Sequence, residues 1–341
     1  MNELFWTNRF VEKFKFLSKV KLKVRKIFNF LFLRVSSRNQ LKIHNYITQE
    51  ERKRYEATPI FSAVYFELRS RCNSTCSFCA ASIQNETRPD ITMSFLLFKK
   101  AINELSEINY NGKIAFHVNS DPLLIKNIAE FVGYASQNCP NAWIQILSNG
   151  KSLNNKNGQE LIDAGVNEIS LNIYSKNKKL ITPKNVKKFE DEVLLKNYSI
   201  NKIQSGQVVK NKIADNIYYN KSSRILEEQL TNRAGSAPNK KTNQKLPTLG
   251  FCSYPFEQFN IDASGNVSHC CADFYFSNKM GNIRDNSMLN IWEGEGFKKV
   301  RQHLLNNERA GGSLCSKCDH FGIKKVPKKF FRRNLYKLVR I

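Results

Sequence analysis

Residues 62–80 read SAVYFELRSRCNSTCSFCA. The first seven are mostly β-formers and predict a strand over 62–68. Directly after it come Cys72, Cys76 and Cys79, spaced C-x3-C-x2-C, with no fourth cysteine nearby. A structural zinc site wants four closed ligands. A disulfide framework wants an even number of cysteines in an oxidising compartment. Three thiolates in one tight loop meet a different need: they can hold three irons of a four-iron cluster and leave the fourth iron open.

Outward from this loop the chain alternates helix and strand. A helical period runs over 93–108, and KIAFHVN (113–119) predicts a strand. PLLIKNIAEFVGYAS (122–136) predicts a helix with Pro122 in its first turn. AWIQILS (142–148) is a strand closed by Asn149-Gly150, NGQELIDAG (157–165) a helix ended by Gly165, and NEISLNIYS (167–175) a strand. The Lys/Asn-rich stretch 176–230 predicts one or two further helices and a strand at GQVVKNKIA (206–214). Repeated strand–helix units imply a parallel sheet with helices outside, whose active residues lie at the carboxyl ends of the strands. The cysteine loop leaves such an end, and so do NSDP (119–122) and SNG (148–150).

Period-2 alternation divides the strand faces. Glu168, Ser170, Asn172 and Tyr174 share one face, with Ile169, Leu171 and Ile173 on the other; His117 and Asn119 oppose Phe116 and Val118. A polar face on a buried sheet predicts a polar cavity lined by the strands, with an apolar outside packed on helices. A solvated sheet edge is the competing reading.

With these segments in this order, residues 60–235 resemble the radical S-adenosylmethionine enzymes. The loop CNSTCSFC matches their C-x3-C-x-aromatic-C signature, with Phe78 at the aromatic position. The resemblance implies a partial (β/α)6 barrel over 56–238. It also implies a [4Fe–4S] cluster on Cys72, Cys76 and Cys79 whose open iron takes the methionine part of S-adenosylmethionine. Asn119, Ser120, Asp121 and Pro122 fall on the turn that binds the methionine amine, with Ser120 and Asp121 standing where the family has Gly and Glu. Ser148 and Asn149 match the segment ending the third strand, and Ser170 and Asn172 the strand that supplies ribose contacts. His117, Tyr174 and Arg233 are the candidates for touching a substrate or a carboxylate; Arg233 sits in NRAG (232–235).

A second cysteine group lies at 251–318. FEQFNIDASGNVSHC (256–270) predicts a β-hairpin, and SMLNIWEGEGFKKVRQHL (287–304) a helix interrupted near Gly294. Cys252, Cys270, Cys315 and Cys318 are placed to converge, with Cys271 an alternative to Cys270. A C-x2-C pair plus two distant cysteines suits zinc as well as an iron–sulfur cluster. The order of these elements is similar to the auxiliary-cluster domain called SPASM, and five cysteines match its shortened twitch form. That resemblance implies a second [4Fe–4S] cluster in a small domain over 239–323. Cys139 stands alone and reads as a half-buried thiol.

The formal net charge is +25 over 341 residues, and the ends hold most of it. Residues 1–40 carry ten Lys/Arg against two Glu, and residues 324–341 carry eight Lys/Arg and no acid. An apolar stripe from Phe10 to Val35 predicts one basic amphipathic helix within 1–55, and TQEERKRYE (48–56) a short polar helix. With the basic tail 324–341, this fits a protein resting on an anionic membrane. Nucleic acid is not favoured. The run IFNFLFL (27–33) is too short to span a bilayer, and no signal peptide is visible. A hydrophobic fraction of 41% argues against wholesale disorder, and nine cysteines are too sparse for a small disulfide scaffold. Cysteines clustered in this way point to metal in a reducing cytosol.

The resemblance implies an oxidoreductase-like enzyme. A flavodoxin- or ferredoxin-type reductant supplies an electron, S-adenosylmethionine is cleaved to a 5′-deoxyadenosyl radical, and the radical takes hydrogen from a substrate carbon. The expected outcome is oxidation or epimerisation of a sugar-like, cyclitol or lipid-linked glycan substrate. A peptide-modifying maturase is the alternative, although residues 1–55 are too simple for a leader-peptide domain. A basic iron–sulfur or zinc nucleic-acid-binding protein is the non-enzyme reading; it has no need of an open three-cysteine loop.

Overall fold

The structure is a computed structural model that describes residues 60–76, 78–81, 88–175, 182–205, 208–225, 232–237, 252–306, 308–309 and 314–320. The amphipathic helix expected within 1–55, the short helix at 48–56 and the basic tail lie outside these residues.

Four strand–helix units follow one another. Strands β1 (Ala63–Phe66), β2 (Lys113–Phe116), β3 (Trp143–Ser148) and β4 (Glu168–Ser175) alternate with helices α1 (Phe95–Glu107), α2 (Ile128–Asn138) and α3 (Asn155–Asp163). A fourth helix, α4 (Lys184–Phe189), runs on through a π-helical turn at Glu190–Leu194. The strands pair in parallel in chain order. A meander β5 (Asn201–Ser205), β6 (Val208–Ala214) and β7 (Ile217–Ile225) then places β7 parallel to β4, with β6 and β5 antiparallel beyond it. β6 falls on the strand expected at 206–214.

The expected helix over 122–136 is two pieces. Pro122–Leu124 forms one 3-10 turn capped by Asp121, and α2 begins only at Ile128. Ile125 is extended between them, and Leu123 and Ile125 are both buried.

The C-terminal segment completes the same sheet. After the short helix α5 (Tyr254–Glu257), strand β8 (Gln258–Ile261) pairs parallel to β1. β9 (Asn266–Ser268) and β10 (Lys279–Asn282) follow antiparallel. The order is β10-β9-β8-β1-β2-β3-β4-β7-β6-β5, so six parallel strands stand between two antiparallel flanks. The β8–β9 hairpin turns as its sequence predicts: the Asp262 carboxylate accepts from the amides of Ser264 and Asn266, and Gly265 takes a left-handed φ of 86°. The interrupted helix appears as α6 (Met288–Trp292) and α7 (Glu295–Leu305), parted at Gly294.

The core lies between the outer sheet face and the helices. Val64, Phe66, Ile114, Phe116, Ile144, Ile146, Ile169 and Leu171 are buried, as are Phe98 and Ile102 of α1 and Phe131 and Val132 of α2. The Phe98 ring meets Phe66 edge-on at 5.0 Å and Phe131 at a tilt at 4.9 Å. The same core reaches into the C-terminal segment: Phe61 meets Phe259 at 4.9 Å and Trp292 at 5.2 Å. Burying side chains of this size contributes about 1.5–3 kcal/mol each, which seats the second cysteine group on the barrel.

Candidate active site

The polar strand faces point inward. At the amino end of the lumen, Glu168 accepts from Ser170 Oγ (2.7 Å), Asn220 Nδ2 (2.8 Å) and Trp143 Nε1 (3.1 Å). These partners satisfy a buried carboxylate and close that end. Toward the carboxyl ends the lumen opens into a cavity of about 410 Å³.

Both cysteine groups line this one cavity: Cys72, Cys76 and Cys79 on one side, and Cys252, Cys270, Cys271, Cys315 and Cys318 on the other. The first loop is held by asparagines. Asn149 Nδ2 donates to Asn73 Oδ1 (2.7 Å) and reaches Cys72 Sγ (3.8 Å), and Asn73 Nδ2 donates to Ser152 Oγ (2.8 Å). Asn149 is in turn set by Asp121, whose carboxylate accepts from Asn149 N (2.8 Å), Ser148 Oγ (2.9 and 3.0 Å) and Leu123 N (3.0 Å). Burial pushes the Asp121 carboxyl up, and these donors pull against it. Phe78 packs on Tyr174 at 4.6 Å between ring centres.

Of the sequence-predicted residues, Phe78, His117, Asn119, Ser120, Asp121, Ser148, Asn149, Asn172, Tyr174 and Arg233 line the cavity. Ser170 and Pro122 do not: Ser170 serves the Glu168 network below, and Pro122 starts the 3-10 turn. The His117 ring meets Tyr65 edge-on at 5.0 Å, and its Nδ1 has no partner. Burial pushes its pKa down to about 3, so the imidazole is neutral at pH 7. Arg233 Nη2 donates to Asn119 Oδ1 (2.9 Å) and to the Cys271 carbonyl (2.6 Å), joining the loop after β2 to the second cysteine group. Arg233 and Ala234 both take left-handed φ, 45° and 54°, an uncommon strain for residues with a Cβ.

The second group is assembled from three segments. A 3-10 turn carries Cys315 and Cys318, and the Cys318 amide donates to the Cys315 carbonyl (3.2 Å). That turn docks on 232–237: Asn232 N donates to Asp319 Oδ1 (2.9 Å) and Asn232 Nδ2 to the Lys317 carbonyl (2.8 Å). Cys270 is buried, and its sulfur accepts from Ala272 N (3.3 Å); Cys271 is half-buried. Burial raises the thiols of Cys72 and Cys315 to about 11 and of Cys252 to about 12. Positive metal would reverse that by favouring the thiolate. Among the described residues no three His, Cys, Asp or Glu side chains are gathered as a single-ion site. The donor set, thiols on two sides of one cavity, fits iron–sulfur centres whose irons are bound one per thiolate.

Several residues here carry no sequence signal. Tyr254 and His320 pair at 3.1 Å, His269 is buried with both ring nitrogens unpartnered, and Arg309 is buried beside the second group. Only their proximity to cysteines could have pointed to them. Cys139, by contrast, is buried with Sγ 3.7 Å from the Ile102 carbonyl and lies outside the cavity lining.

Residues 252–319 match the SPASM model, described as an iron–sulfur cluster-binding domain. The chain is 28% identical over 265 residues to the S-adenosyl-L-methionine-dependent 2-deoxy-scyllo-inosamine dehydrogenase of Niallia circulans, covering 78% of this chain and 95% of the relative. The fold matches that of BtrN solved with AdoMet and 2-DOIA, with a TM-score of 0.59, 24% identity, and 79% of this chain and 97% of that one covered. It also matches an open conformation of BtrN, with a TM-score of 0.54, 23% identity, and 78% and 95% covered.

Proposed function

Taking the chain as a radical S-adenosylmethionine enzyme with a C-terminal SPASM domain, we propose that it oxidises a secondary alcohol of a small cyclitol or sugar-like substrate. The observation that carries this is the shared cavity, lined by both cysteine groups and by the polar side chains of His117, Asn119, Asn172 and Arg233. In this reading residues 56–238 are the core and 239–323 the auxiliary domain. Cys72, Cys76 and Cys79 hold the radical cluster, and Cys252, Cys270, Cys315 and Cys318 the auxiliary one. Bound there, the first cluster and S-adenosylmethionine would supply the radical that takes the carbinol hydrogen, and the second would accept the remaining electron as the hydroxyl proton passes to solvent.

The chain's own residues do the rest. Asn119, Ser120, Ser148 and Asn149 set the cofactor's polar end, and Asp121 fixes Asn149. Asn172 and Tyr174 line the cofactor's flank. His117, neutral at pH 7, accepts a hydrogen bond from a hydroxyl, and Arg233 orients a second polar group. The reductant is of flavodoxin or ferredoxin type, and the protein is cytoplasmic with its basic ends on an anionic membrane. Among the described residues no helix is long and apolar enough to cross a membrane.

Anaerobically reconstituted protein should bind about eight irons, as two four-iron clusters require. Replacing Cys72, Cys76 and Cys79 together with Ala should leave about four and abolish cofactor cleavage. Aminocyclitols deuterated at the carbinol carbon should pass deuterium into 5′-deoxyadenosine. Stoichiometric zinc at the second group would overturn the two-cluster assignment. Deuterium transfer from peptides but from no cyclitol or sugar would move the reading to a peptide maturase.

A further inference from the structure

Arg309 is 3% exposed and lines the cavity with Cys252, Cys315 and Cys318. Its Nη1 donates to the His320 carbonyl, the His320 amide donates to Cys318 Sγ (3.4 Å), and the His320 ring meets Tyr254 OH (3.1 Å). The guanidinium is therefore tied to the cysteine turn through one residue. Taking such a cation out of water is costly unless negative charge lies close. Arg309 shares the cavity lining with three of the four thiols, Cys252, Cys315 and Cys318. Asp319, the buried acid of the same turn, accepts from Asn232 N (2.9 Å). A buried cation thus stands in the cavity lining beside Cys252, Cys315 and Cys318.

We propose that Arg309 tunes the reduction potential of the iron–sulfur centre held by the second cysteine group, raising it by stabilising the form that carries one more electron. The inference rests on the reading that this group holds a cluster. A cluster bound by thiolates is anionic, and its reduced form carries one more negative charge. A fixed cation buried beside it favours that form, because a low local dielectric leaves the attraction poorly screened. Burial, charge and hydrogen bonding near the sulfurs are the levers that set such potentials. The consequence is a better one-electron acceptor on the side of the cavity facing the substrate.

The test uses the full chain with Cys72, Cys76 and Cys79 replaced by Ala, so that only the second centre remains. Iron content is read first, then an EPR-monitored redox titration. R309Q should leave the centre at least tenfold less reduced at a fixed poise, about 59 mV for a one-electron couple; R309K should stay within about threefold of the parent, since it keeps the charge. Equal potentials in parent and R309Q overturn the proposal while the cluster reading stands. No iron in the parent overturns the cluster reading, and this inference with it. Should R309Q lose its iron, R309K decides: iron retained at a near-parental potential supports the charge role, and iron lost there too makes Arg309 structural and overturns it.

Discussion

Asp121 is the residue on which two strand ends depend. Its carboxylate accepts from three donors on the loops after β2 and β3, and through Asn149 it sets the side chain beside Cys72. Replacement with Ala leaves those buried donors unpaired, at about 1–3 kcal/mol each for the worst placed. D121A should therefore unfold at lower urea and bind S-adenosylmethionine more weakly, measured by equilibrium dialysis. D121N, which keeps one acceptor oxygen, should fall between it and wild type; equal binding by all three would refute the role. The family resemblance implied that Asp121 lies on a cofactor-binding turn; in the structure it lines the cavity with its carboxylate occupied by the chain's own donors. That occupation was not legible, because the donors Ser148 and Asn149 lie 27 and 28 residues away.

At the scale of elements, β1–β4 were legible because their alternation is local and β-branched residues and turn signals bound it. β10 was not, being four residues with Gly281 among them. Nor was the tie between the first cysteine segment and the second. Arg88 pairs with the fully buried Glu67, stacks over the Phe274 ring at 4.5 Å and donates to the Phe274 carbonyl (3.0 Å), which also accepts from Asn119 (3.3 Å). R88M should cost about 1–3 kcal/mol, because it leaves the buried Glu67 carboxyl without its partner. Burial pushes Glu67 up from 4.5 to about 7 despite Arg88. A folded value above the unfolded one gives stability that is complete below about pH 4.5 and lost as pH rises through about 7. Wild type should thus lose up to about 3 kcal/mol relative to E67Q between about pH 5 and about pH 8, at about 1.36 kcal/mol per unit. Urea midpoints of the two proteins across that range would show it, and parallel curves would count against it. The β8–β9 turn gives a simpler expectation. A Cβ on Gly265 would lie 2.8 Å from Asn282 Oδ1 at a φ of 86°, so G265A should lower stability by about 1–2 kcal/mol, read by thermal unfolding.

For the whole molecule, the sheet crosses from core to C-terminal segment through β8 and β1, a pairing of residues 195 apart that no local pattern announces. The cysteine spacings nevertheless marked both sides of the cavity that this pairing brings together. Charge is the other whole-molecule property. The ends hold +16 of the +25, while the segment between them, which contains the cavity, is only mildly basic. Charge concentrated in the two ends of the sequence argues for a surface partner rather than for the substrate. The tail mixes basic pairs with Phe330, Phe331, Leu335 and Tyr336, and the N-terminal stripe from Phe10 to Val35 is apolar along one side. Each Lys or Arg near an anionic bilayer contributes about 1 kcal/mol, and two weak anchors hold where one is marginal. Full-length protein should float with anionic liposomes at low salt and less at high salt, since exposed charges are screened beyond roughly 10 Å at 0.1 M. A shortened chain of residues 45–323 should stay at the bottom of the gradient in both. Flotation of the shortened chain to the same extent, or of neither protein, would leave the basic ends without a membrane role.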